Sequence, residues 1–70
     1  SPSDLFPRVL RKVQQYLKAG VRMVWIVVPD DRSVTVFRPG VTEAILGERD
    51  TLTGADVLPG FACLVAEFFP

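Results

Sequence analysis

The chain predicts an α/β to α+β fold, with one N-terminal helix packed on a mostly antiparallel sheet of three or four strands. Three observations lead there. From Val9 the apolar residues recur at Leu10, Val13, Tyr16 and Leu17, the spacing of one helical face. Val21 to Val28 is the longest apolar run and the richest in β-branched residues. Beyond it, short alternating segments are cut repeatedly by turn residues.

Ser3 or Asp4 is a candidate N-cap, and Pro7 is tolerable in a first turn. The helix is expected over about Leu5 to Ala19, with Gly20 behind it as a residue free to take positive φ. Val21 to Val28, closed by Pro29, follows directly. At strand spacing Val21, Met23, Trp25 and Val27 share one face, and Arg22, Val24, Ile26 and Val28 the other. One face is wholly apolar and the other nearly so. Such a strand is expected to be central and buried on both sides. The helix covers one face, and little chain is left to cover the other.

Pro29-Asp30-Asp31-Arg32 is turn chemistry, with proline setting φ and the aspartates closing the turn through their side chains. Ser33 to Arg38 alternates and reads as an antiparallel partner strand. Pro39-Gly40 turns the chain into a third strand, Val41 to Leu46. Gly47 to Asp50 turns again. Thr51 to Gly60 reads as irregular, with Val57 and Leu58 pinned inward. Phe61 to Val65 forms a last short strand, and Ala66 to Phe69 a closing helical turn.

Seventy residues make one small domain, which buries only about 60% of its unfolded surface. Yet 49% of the residues are hydrophobic, so either the core is dense or apolar surface meets a partner. Net charge is zero but segregated. Ser1 to Arg22 carries Arg8, Arg11, Lys12, Lys18 and Arg22 against Asp4, a net +4, and the remainder is −4. A basic helical end fits either a phosphate partner or simply a solvated face.

Cys63 is the only cysteine and there is no histidine. An internal disulfide, a zinc finger and a Cys-His or Ser-His site are therefore excluded within the chain. A reducing, cytoplasmic setting fits. No apolar run approaches the roughly 20 residues of a membrane span, so no membrane partner is expected. No signal peptide is recognisable, and the chain opens on Ser-Pro-Ser-Asp without an initiator Met, as a piece of a longer protein would.

Few residues offer chemistry. Asp30 and Asp31 suit a turn. Glu43, Glu48, Asp50 and Asp56 share no spacing that implies a metal cage. No pair of acids is set to converge on one cleft. Trp25 faces the core, and Cys63 is a small hydrophobe on a strand. Lys12 stands out, on the flank of the helical apolar stripe and on the same side as Tyr16. It either snorkels, stem on the core and ammonium in water, or leans over the sheet edge to stabilise a developing anion.

Several segments together resemble the Uma-type putative restriction endonucleases. They are Ser1-Pro2-Ser3-Asp4, Lys12 with Tyr16 four residues on, Ala19-Gly20-Val21, Val24-Trp25-Ile26-Val27, and Pro29. The strand Val34 to Gly40 follows, then Asp56 to Phe61 and Val65 to Phe69. The ordered set, covering essentially the whole chain, carries the resemblance.

Members look like PD-(D/E)xK nucleases. The resemblance implies a restriction-endonuclease-like core of which this chain is the C-terminal half, and DNA as the substrate. In the family, two acids upstream of the Ser-Pro-Ser segment bind a divalent metal, usually Mg²⁺, and the following helix supplies a lysine. Lys12 stands at that position, and would stabilise transition-state charge or orient the water.

The chain departs from the pattern at Leu5-Phe6-Pro7-Arg8, where members carry polar residues and an acid. It departs again at Val28, where an acid usually precedes the proline, and in lacking the half that bears the metal ligands. The expectation is that this polypeptide is inactive alone. The alternative is a non-enzymatic interaction or oligomerisation domain derived from the same fold. With its neighbour missing, the Val21–Val28 strand would have an unpaired edge and a bare face, and a homodimer or domain-swapped oligomer is expected.

Overall fold

A computed structural model describes residues 2–70, with side chains from Phe6 onward. Helix α1 spans Pro2–Lys18. It starts earlier than the expected cap, because proline is pre-organised for a first helical position. Ser3 and Asp4 thus lie inside α1, and their side chains fall outside the described residues. Pro7 consequently sits within the helix rather than in its first turn. The helix ends as Gly20 predicts. Gly20 takes φ 104°, its N–H donates to Leu17 O at 3.2 Å, and Val21 N–H donates to Tyr16 O at 3.0 Å. This is a Schellman closure, in which a left-handed glycine satisfies the last carbonyls.

Five antiparallel strands follow, in two sheets. The fold is α+β, as expected. Strands β1 (Val24–Val28), β2 (Ser33–Arg38) and β3 (Val41–Leu46) form a meander with β2 in the middle. Strands β4 (Thr51–Gly54) and β5 (Leu58–Leu64) form a hairpin. A 3₁₀ turn at Pro29–Asp31 joins β1 to β2, and another at Val65–Phe68 follows β5.

The long apolar run is therefore not the central strand. β1 is an edge, pairing only with β2, and it begins at Val24, where β2 can meet it through Phe37. Val21 is taken by the helix closure and Arg22 by an ion pair with Asp56 at 2.9 Å. No β1 residue is buried, and Val27 is 43% exposed.

The expectation of a bare second face also fails. Residues directly paired across an antiparallel ladder share a face. Trp25, Val34, Val36 and Leu46 thus lie on one side of the meander. There they meet Leu52, Val65 and Phe69 in the main core cluster. The hairpin and the C-terminal turn are the cover that the stretch from Thr51 onward supplies. That stretch reads as irregular because its order comes from pairing at a distance, Thr51 with Leu64 and Leu52 with Cys63.

The opposite face holds Ser33, Thr35 and Phe37, all buried. With the main cluster on the other side, this is the face left for α1. Its buried side chain Val13 is outside the main cluster, and Gln14, Leu17 and Lys18 line a groove against Arg38–Thr42 at the β2–β3 turn.

Two local expectations change. The first turn is closed by Arg32 N–H on Pro29 O at 3.0 Å, with no side-chain cap. It is Asp50 that closes a turn through its side chain, accepting from Gly47 N–H at 2.8 Å. Leu58 is half exposed rather than pinned inward. It pairs with Gly54 across a register shift, so close that a Cβ on Gly54 would lie 2.4 Å from Leu58 O. Trp25 does face the core, with its ring 5.3 Å from that of Phe61.

Candidate functional site

The cations divide into two sets by where the fold puts them. Arg22 and Arg38 lie at one end of the meander, and both bind Asp56 in the β4–β5 turn. Arg32 lies at the other end, with φ 49°. It pairs with Glu48, donates to Phe69 O at 2.8 Å, and lies over the Phe69 ring at 5.4 Å. These two clamps tie the meander to the hairpin and the C-terminal turn. Asp56 is held below the ordinary carboxylate value of 3.8 by a backbone hydrogen bond first and by the charge of Arg38 second. None of these pairings is legible from spacing, since the partners stand 16 to 37 positions apart.

The second set, Arg8, Arg11, Lys12 and Lys18, is exposed on α1. At about 100° per residue, Lys12 and Tyr16 lie on one flank of the stripe centred on Val13, and Gln14 and Lys18 on the other. The Gln14–Lys18 flank faces the β2–β3 turn. Lys12 and Tyr16 therefore stand on the flank away from that turn. Tyr16 is 49% exposed.

The acids do not gather near Lys12. Asp30 and Asp31 lie in the turn between β1 and β2, and Glu43 is exposed on β3. Glu48 and Asp56 are bound to arginines. Asp50 accepts from Gly47 N–H, and Glu67 accepts from Leu64 N–H at 3.2 Å. Among the described residues, no three histidine, cysteine or acidic side chains come together as a metal site would require. Carboxylates already committed to guanidinium or backbone partners do not fit a Mg²⁺ ion. Cys63 is a free, half-buried thiol opposite Leu52.

The fold and this surface define a small α+β domain with a lysine-bearing basic helix and an open strand edge. Among the described residues, no helix is long and apolar enough to cross a membrane. A family model, Uma2, described as "Putative restriction endonuclease", matches residues 1–66. The chain belongs to that family and is a nuclease-like domain. No curated protein and no solved structure matches it.

Proposed function

We propose that this chain is the C-terminal part of the catalytic core of a metal-dependent DNA endonuclease, and that Lys12 is its catalytic residue. The observation that carries the reading is the position of Lys12 within the matched family region, exposed on the flank of the amphipathic helix. An ammonium there meets phosphate oxygen without first leaving a buried partner. It offsets the charge that builds on a phosphodiester as a fifth oxygen approaches.

The described carboxylates do not form a metal site, so the metal-holding acids belong to another segment or chain. The 70 residues alone are then inert, and act in the cytoplasm once complemented. A plasmid-nicking assay in Mg²⁺ or Mn²⁺ tests this. The chain alone is expected to leave DNA intact. Metal-dependent cutting by the chain alone, abolished in Lys12→Ala, would sink the claim of inertness and keep the role of Lys12. Cutting that survives Lys12→Ala would sink both.

One observation favours the second reading, a non-enzymatic association domain. The β1 edge offers unpaired backbone beside half-exposed Val27 and Val21. Such an edge is a template for another strand, here that of a second copy in a homodimer or domain swap. A clean monomer by light scattering at micromolar concentration would remove this reading.

A further inference from the structure

The solvent face of α1 carries charge that the fold does not use. Arg8, Arg11, Lys12 and Lys18 are all exposed, and no acid occurs between Phe6 and Ala19. A helix face shaped only for solvation and its own stability sets opposite charges three or four residues apart. Asp4 stands four residues before Arg8, but Arg11, Lys12 and Lys18 have no acid at that spacing, and Arg11 and Lys12 instead have Arg8 as a like-charged neighbour. The arginines the fold does need, Arg22, Arg32 and Arg38, are each matched to a carboxylate elsewhere. Repulsion kept within one helix calls for an anion from outside.

The shape selects the anion. From Arg8 to Lys18 the helix advances about 15 Å at roughly 1.5 Å per residue. One strand of a duplex presents a phosphate about every 3.4 Å of axis, so the stripe faces on the order of four phosphates. Gln14 and Gln15, both exposed, add amide donors between the cations. The surface continues into the groove of about 500 Å³ between Gln14 and Lys18 on the helix and Arg38–Thr42 on the β2–β3 turn. Most hydrogen bonds that arginine, lysine and glutamine side chains make to a duplex go to phosphate and sugar, which position a protein without reading bases.

We propose that the solvent face of α1, through Arg8, Arg11 and Lys18 with Gln14 and Gln15, docks the phosphate backbone of double-stranded DNA without reading its sequence. The proposal takes from the nuclease reading only the choice of DNA as the polyanion. It assigns these residues to positioning the duplex, separately from the chemistry given to Lys12.

The test is binding of a short fluorescent duplex by anisotropy, without metal, across about 50 to 200 mM salt. The full chain is compared with the double variant Arg11→Gln, Lys18→Gln and with Arg49→Gln, which removes an exposed cation off the helix. The double variant is expected to bind about tenfold or more weakly, with a salt slope shallower by about two. Arg49→Gln is expected to retain the affinity and slope of the parent, and circular dichroism to show α1 intact in both variants.

Equal affinity and slope in the double variant overturns the proposal. So does an equal loss in Arg49→Gln, or binding to anionic phospholipid vesicles with none to the duplex. Because nothing is cleaved, failure of the endonuclease reading shows separately, in the nicking assay.

Discussion

β1 and β2 lie side by side, and the less apolar of the two is the more buried. β1 reads Val-Trp-Ile-Val-Val and has no buried residue, while β2 reads Ser-Val-Thr-Val-Phe-Arg and has four. The cause is position. β2 pairs on both edges, with the hairpin and Phe69 against Val34 on one face and α1 on the face of Phe37. β1 pairs on one edge and shares those covers only in part. Hydropathy states which side chains gain from burial, and topology decides which obtain it.

The comparison breaks if substitutions in the two strands cost alike. Phe37→Ala carries the largest expected effect. It empties a 6%-exposed site on the α1 side of β2 and should cost about 3–5 kcal/mol, close to the whole stability of so small a domain. Urea unfolding monitored by Trp25 fluorescence would show it as a lost or strongly lowered midpoint.

Leu52→Ala tests the opposite cover. Leu52 is 1% exposed, and its truncation should cost about 2–5 kcal/mol by the same measurement. A cost below about 1 kcal/mol would mean that the hairpin does not close that face.

The sharpest test pairs Val34→Ala with Val27→Ala, since the two residues face each other across the ladder. Val34 is fully buried, and its loss should cost about 2 kcal/mol. Val27 should cost less than half as much. Equal costs would place β1 inside a larger assembly that buries its edge.

The smallest effect concerns Asp56, which ties the start of β1 and the end of β2 to the hairpin turn. Its folded pKa lies below 3.8. Its contribution is therefore complete above that unfolded value and is lost as the pH falls through the folded one. Asp56→Asn should lower Tm slightly at neutral pH, and the gap from the parent should close below about pH 3.8. A gap that persists in acid would assign the effect to something other than charge.

Much of the local structure was legible because it depends on neighbours in sequence. The helical stripe from Val9 to Leu17, the Gly20 stop, the strands Ser33–Arg38 and Val41–Leu46, and the turn before Phe69 all follow from spacing and turn residues. Half of the hairpin was legible, since the strand read at Phe61–Val65 lies largely in β5, but its partner β4 was not. Thr51-Leu52-Thr53-Gly54 is too short and glycine-broken to announce a strand, and only pairing with Ala62–Leu64 orders it.

The site divides the same way. That Lys12 flanks the stripe beside Tyr16 is helical arithmetic. That Gln14 and Lys18 face the β2–β3 turn, leaving Lys12 on the other side, is a tertiary fact. The arginine clamps left no sequence signal, because ion pairs formed across long separations have no period.

By itself, then, the sequence determined an α+β chain with one amphipathic basic helix, an antiparallel meander, no disulfide chemistry, and a lysine on the flank of the helical stripe. Only the tertiary structure decided that Val24–Val28 is an edge, that β2 is the centre, and that three of the arginines are structural while the cations of α1 face solvent. The physical reason is that periodicity fixes the faces an element presents. Which face is covered, and which charge is matched, depends on chain segments that meet only after folding.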